Sequence, residues 1–409
     1  MSLKQNFNEL LKVYNAQEMI QAEVKKRSYY LDRVSMDKTW GGGEIPLPVE
    51  AGEASSMGFE GLIASSDISQ GSYLKGKIQT PHEFLASMKF DQRDLEVHGD
   101  LKKSFLKILP DKVERFVGRI SERLNVMLLA DGAVCALTAD GLSTGWVEVD
   151  VPTLLTIGEK LEIKSDEEPA LTVYVGEIDK PGKKVRLFDA RTAGTACDLT
   201  DYKIADAAKL YLPGSVTGGF TSLKKQLLPA SLGGSDTWFT LDKADAPVLQ
   251  AAYHDGSSMN ATNFMDKLFE FYLETLFVGE GNATEAVMNM KHLGKIIPKL
   301  EGSRRYAVTD KSAGYGFRKI TLIGPEGGEF TIVGVRDMPT DLIYMLDWSK
   351  HKFYTDKFIE RIKNPDGLEY YTERVAGVNG GYSHICDYRV YGELAIIPGG
   401  NGVIHSVPA

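Results

Sequence analysis

A few short patterns in this chain match those that enzymes use. Gly141-Leu142-Ser143-Thr144-Gly145 matches the Gly-x-Ser-x-Gly spacing of a nucleophilic serine. That chemistry needs a strand before the serine and a helix after it, to hold the hydroxyl on a sharp turn. Here the strand-like WVEVDV follows, so the match reads as a plain turn. Gly71 to Lys77 approaches a phosphate-cradling loop, but Ile78 stands where a Mg²⁺-binding hydroxyl belongs. Gly41-Gly42-Gly43 precedes a proline-rich strand rather than a helix, which a phosphate cradle would need. The histidines (His82, His98, His254, His292, His351, His384 and His405) show no metal-ligand spacing and read as surface or core-edge residues. Cys135, Cys197 and Cys386 are odd in number and far apart, which predicts free thiols. Asp166-Glu167-Glu168 reads as a solvated turn, and Met288-Asn289-Met290 as core packing. The residues therefore predict no catalytic group, no cofactor and no metal.

The elements around these residues point elsewhere. The 409 residues allow two to three domains, and 43% hydrophobic content supplies a sizeable core. A net charge of −9 without a basic run argues against a dedicated nucleic-acid binder. No charged start followed by an apolar run marks a signal peptide, and no apolar stretch approaches a membrane span. The expectation is a soluble protein made in a cytoplasm. The Asn-x-Thr matches at Asn260 and Asn282 are then chance.

Residues 4–34 read as one helix. After Trp40, the run Gly41 to Gly43 has no side chains to pack and predicts a flexible joint. From there to Pro81 the chain is Gly-rich, extended and weakly hydrophobic, with Pro46 and Pro48 restricting it to an edge or hairpin strand. It reads as a long two-stranded excursion with its tip near Gly52 to Gly61. Such an arm has no core of its own and is expected to lie on another copy. Next, Val113, Phe116, Val117, Ile120, Leu124, Met127 and Leu128 form one helical stripe that ends at Gly132. A helix running from Leu101 would be about 45 Å long. Pro110 either kinks it or marks its start. Short strands over 145–215 predict a small meander or barrel. Helices are expected at 260–279 and 283–300, then strands from Lys319 on.

The order of these segments resembles the major capsid proteins of tailed bacteriophages, a fold shared with encapsulins. LKKSFLKILPDKVERFVGRISERLNVMLLADGA is similar to that family's long spine helix, and Leu-Leu-Ala-Asp-Gly to the turn that ends it. SVTGGFTSLKKQLLP resembles the connector that returns the chain to the axial domain. NATEAVMNMKHLGKI resembles an axial-domain helix, and YGELAIIPGGNGVIHSV the closing strand. The resemblance implies an α+β shell fold. Residues 1–39 would be an N-terminal arm and 40–85 an extended β loop. Residues 86–140 with 316–409 would form a peripheral domain, and 141–315 an axial domain with a β-rich insertion at about 145–215.

The implied function is structural and not enzymatic: self-assembly through pentamers and hexamers into an icosahedral shell around double-stranded DNA. Scaffold, portal and decoration proteins are possible partners, DNA is enclosed without specific binding, and no membrane is involved. The place is the virion capsid, assembled in the host cytoplasm. Gly41, Gly42 and Gly43 would be an assembly hinge; Gly52, Gly58, Gly61, Lys75 and Lys77 would lie on the intersubunit loop. Some relatives cross-link through a loop Lys and a distant Asn, and Lys75 and Lys77 fall in that region without a marked partner. The overall charge predicts an acidic inner surface that does not grip DNA. An encapsulin-like compartment and a two-domain enzyme are the alternatives.

Overall fold

The structure is a computed structural model. It describes residues 17–40, 43–52, 72–79, 81–91, 101–138, 146–164, 171–191, 195–197, 208–278, 282–301, 318–323, 329–364, 367, 370–374 and 382–408. The chain is α+β and divides into two compact units. The first comprises Met1–Gly43, Gln79–Leu124 and Lys352–Glu393; the second comprises Glu44–Ile78, Asn125–His351 and Leu394–Ala409.

The first unit is organised around the strand Tyr382–Ile396, whose last three residues belong to the second unit. It pairs antiparallel with His82–Asp91 along ten residues, from Ser383↔Asp91 to Gly392↔His82. Tyr371–Arg374 and Ile359–Arg361 pair with it too. Cys386, Tyr388 and Val390 point inward and alternate with Asp387, Arg389 and Tyr391, the period-2 pattern of a sheet with one covered face. The cover is the helix Leu101–Ala130, whose Phe116 ring lies 5.1 Å from that of Tyr388. The helix runs unbroken through Pro110. Val113, Val117, Ile120 and Leu124 are buried along its apolar stripe. Asp131 (φ 57) and Gly132 (φ 80) end it in left-handed conformations, and the Gly132 N–H bonds back to Val126 O at 3.2 Å.

Within residues 4–34, which read as one helix, the described part holds two: Gln17–Arg27 and Tyr29–Arg33. Ser28 separates them. It leaves helical geometry and its Oγ accepts the Leu31 N–H at 3.1 Å, a cap that starts a second helix. The first helix packs against the long one, with Ser121 Oγ donating to Val24 O at 3.2 Å.

The second unit holds a closed six-stranded barrel of Lys209–Tyr211, Ala133–Thr138, Trp146–Val149, Lys184–Phe188, Leu171–Asp179 and Lys160–Lys164, in that order around it. Alternate residues such as Val147, Leu161, Val173, Val185 and Leu210 are fully buried and fill its interior. A six-stranded sheet follows, in the order Ala252–Asp255, Gly402–His405, Ile343–Leu346, Glu285–Asn289, Glu329–Val335, Arg318–Ile323. The helices Phe264–Val278 and Met290–Glu301 share one core with it through Leu268, Phe271, Leu293 and Ile296. Here the expected helix over 283–300 is corrected: Glu285–Asn289 is a strand. All five of its residues are buried between two neighbouring strands. A strand covered on both faces loses the alternation that would mark it, and runs straight into an apolar helix stripe.

A polar knot closes this unit. His351 is fully buried, with Nε2 3.0 Å from Asn401 Oδ1, which also accepts the Asp347 N–H at 2.8 Å. An acceptor shared in this way makes His351 Nε2 the donor in a neutral ring. Burial holds the His351 pKa down to about 4, against 6.5 for a free side chain, despite the Asn401 bond and the nearby Asp347 carboxylate. The unfolded chain therefore takes this proton at higher pH than the folded one. The associated stability is complete above about pH 6.5 and is lost as pH falls towards 4, by about 3 kcal/mol. Denaturant unfolding at pH 7 and at pH 4.5 should show this loss, and His351→Gln should shrink it. An identical pH dependence in the variant would contradict the assignment.

Candidate interaction surface

The two-stranded excursion is present as the antiparallel pair Ile45–Gly52 and Ser72–Ile78. Its register places Pro46 opposite Lys77 and Pro48 opposite Lys75. In an antiparallel pair, alternate residues aim their amides out of the ladder. Both prolines occupy such outward positions, so neither removes a ladder bond, and the Ile45–Gly52 edge is left without amides there to recruit another strand. The matching outward N–H of Lys77 bonds Thr240 Oγ1 at 3.0 Å.

The two faces of the hairpin differ. Leu47, Val49 and Ile78 are buried on one face, worth about 1.5–3 kcal/mol each if fully removed from water. They belong with a seat built from the segment after the connector. A Cβ added to Gly76 would lie 2.9 Å from the ring of Trp238 and 3.3 Å from Leu241. Trp238 cannot yield easily. It is 2% exposed, its Nε1 donates to Ile396 O at 2.6 Å, and it lies 3.3 Å from Gln226 Oε1. Gln226, itself 1% exposed, accepts the Ile396 N–H at 2.8 Å and donates to Leu394 O at 2.8 Å. Lys243 Nζ donates to Lys225 O and Leu228 O, holding the end of the short helix Leu223–Leu227 under the seat. Burial lowers the Lys243 pKa to about 8.

The opposite face carries Pro46, Pro48, Glu50, Tyr73, Lys75 and Lys77, all exposed. Tyr73 is 66% exposed. Lys77 Nζ meets Glu44 at 2.9 Å, a half-exposed pair that contributes little to stability.

The expectation that this arm has no core of its own is thus corrected for the described strands. They pack on their own chain, because Gly76 lets the backbone close on an immobile indole. That seat was missed in the sequence. An isolated glycine inside a strand pattern is a signal of close approach, and Gly76 between Lys75 and Lys77 is such a glycine.

The remaining expected site residues fall as follows. Gly41, Gly42, Gly58 and Gly61 lie outside the described residues, and Gly52 ends its strand beside a register shift. Gly43 O accepts the Trp40 indole N–H at 2.6 Å. A Cβ at Gly43 would meet nothing within 4 Å. Ser143 lies outside the described residues, and Lys77 belongs to a strand rather than a phosphate loop.

The described histidines have local partners. His82 Nδ1 bonds the buried Glu393 carboxylate across paired strands, and the His254 ring lies tilted 5.3 Å from that of Phe271. His384 lies beside Thr372, and His405 beside Ser406. His292 and His351 are fully buried rather than at the core edge, because Thr340 O and Asn401 satisfy one nitrogen of each. The three cysteines are free and buried. Among the described residues, no group of three or more His, Cys, Asp or Glu is placed to hold a metal, and no helix is long and apolar enough to cross a membrane.

No protein-family model matches the chain. No curated protein matches it in sequence. Among solved structures, it is similar to a chain of the cyanophage A-1(L) capsid asymmetric unit at 11% identity, covering 92% of this chain and 90% of that one, TM-score 0.45. It is also similar to a chain of the native GTA particle capsid at 13% identity, covering 94% and 91%, TM-score 0.41. A third similarity is to a chain of the satellite phage P4 procapsid with its size determination protein, at 8% identity, covering 99% and 98%, TM-score 0.39.

The seat predicts a contrast between neighbouring positions. Gly76→Val should lower stability by about 1–3 kcal/mol through overpacking against Trp238. Lys75→Ala, on the exposed face, should change it by less than about 0.5 kcal/mol. Denaturant unfolding of both variants measures the difference, and equal effects would contradict the seat.

Proposed function

We propose that this chain is the major capsid protein of a tailed bacteriophage. Copies assemble through pentamers and hexamers into an icosahedral shell around double-stranded DNA, and the protein acts by assembly rather than catalysis. One observation carries the reading. A two-stranded arm is rooted on its own chain by one face and offers the other, with Tyr73, Lys75, Lys77 and two prolines, to a partner. The order of elements adds support: arm, 30-residue helix, β insertion, sheet with helices, closing strands. A repeated head-to-tail contact of this kind closes into rings when its rotation permits.

In this reading residues 40–85 are the intersubunit loop. The proposed peripheral domain is 86–140 with 316–409 and the axial domain 141–315; the two compact units are divided elsewhere, with Glu329–Val335 paired to Glu285–Asn289 inside the second. Gly52, Gly58, Gly61, Lys75 and Lys77 lie at the contact, and Gly41 to Gly43 form the joint that lets one subunit occupy non-equivalent positions. Scaffold, portal and decoration proteins are the further partners, with assembly in the host cytoplasm.

The test is electron microscopy of the expressed full chain, alone and with its neighbouring genes. Shells, rings or tubes are expected; a monomer under every condition would overturn the reading. Replacing Gly41, Gly42 and Gly43 together by Ala should leave the subunit folded and impair assembly. Gly43 at least has room for a methyl group, so the substitution there acts through backbone freedom. Normal particles from this variant would remove the hinge role.

A further inference from the structure

The two strands of the arm have guarded edges, through Pro46 and Pro48 on one and Thr240 on the other. The strand His82–Asp91 of the first unit does not. It pairs along ten residues with Tyr382–Ile396, and among the described residues no strand pairs with its other edge. It holds no proline, so every backbone N–H is present. An edge of this length is a template for another strand, and its side chains decide which strand fits.

Glu83, Leu85, Ser87 and Lys89 are exposed on one face, with Leu85 58% exposed. Phe84, Ala86 and Met88 alternate with them on the covered face. Glu83 and Lys89 stand equally far from Ala86, one on each side, with opposite charges. The pattern is therefore its own complement. Laid antiparallel on a second copy with Ala86 opposite Ala86, the exposed face sets Glu83 against Lys89 and Leu85 against Ser87, each twice. A slip of one residue would turn the exposed face of one strand to the covered face of the other. A slip of two sets Glu83 against Asp91 in one direction and against Ser87 in the other.

We propose that the outer edge of His82–Asp91 pairs antiparallel with the same edge of a second copy, across a two-fold axis at Ala86. Within one copy, Lys89 lies 3.5 Å from Glu373 and Glu83 lies 3.7 Å from Arg389, which Glu360 already meets at 2.8 Å. Glu83 and Lys89 are thus held only by long, exposed contacts, which oppose a cross-copy pair weakly. Charges on an edge ordinarily discourage pairing. Here they discourage it in other registers and attract in this one. Backbone hydrogen bonds supply the affinity, and the two Glu83–Lys89 pairs fix the register. The contact is isologous, unlike the head-to-tail contact of the arm. The inference goes beyond the capsid reading and does not need it, since two copies suffice.

Sedimentation velocity of the full chain at rising concentration should show a monomer–dimer equilibrium that weakens with salt. Glu83→Lys and Lys89→Glu each turn two attractive pairs into two repulsive ones. Each should raise the dimer dissociation constant at least about fivefold while keeping the wild-type circular dichroism. Mixed together, the two variants again set unlike charges against each other, and a heterodimer of wild-type strength is expected. Variants that fail alone and recover together cannot owe the failure to misfolding. A mixture no stronger than either variant alone would overturn the inference, as would single variants that dimerise like the wild type. A monomer at every concentration, whose 82–91 peptides gain exchange protection only when a different protein is added, would also overturn it. Shells seen by electron microscopy alongside any of these results would spare the capsid reading. Dimers that follow the charge pattern, from a protein that never forms shells, rings or tubes, would support this inference and sink that reading.

Discussion

The Trp238 indole is the fixed point of the arm. Its N–H is held by Ile396 O, at the end of the strand Tyr382–Ile396, and it lies beside the buried amide of Gln226. Gly76 presents bare backbone to that ring. The contact converts a proline-rich, glycine-rich segment with little core of its own into an ordered pair of strands. Without it, the hairpin would have only its ladder and three apolar side chains, and an isolated two-stranded hairpin is marginal in water.

This arrangement meets two demands that the proposed self-assembly would place on the arm. The arm has to be ordered enough to carry a surface, and it must not pair indiscriminately with other strands. Seating solves the first. Pro46 and Pro48 solve the second, because they remove outward amides from one edge without removing any ladder bond. Thr240 covers a further outward amide on the other strand. What remains available is a face of side chains rather than an open backbone edge, and side chains discriminate between partners better than backbone does.

Much of this was legible in the sequence where periodicity was strong. The long helix, its buried stripe and its glycine end follow from the spacing of Val113 to Leu128, and Pro110 is accommodated within it. The barrel strands alternate cleanly because each has one buried and one exposed face, as in Lys184–Phe188. Glu285–Asn289 reads as helix for the opposite reason: burial on both sides erases its alternation. Ser28 divided the N-terminal helix through a single buried cap. The seat itself is tertiary. Gly76, Trp238, Gln226 and Ile396 lie far apart in the chain, and only Gly76 left a local trace.

In the proposed assembly the hairpin is rooted on its own chain and meets another copy with its outer face. Hydrogen–deuterium exchange, read by peptide mass on unassembled and assembled protein, tests it most directly. The Trp238 segment should be protected in both states, whereas peptides from 45–52 and 72–78 should gain protection on assembly. A Trp238 segment that becomes protected only in the particle, or hairpin strands whose exchange is identical in both states, would contradict it.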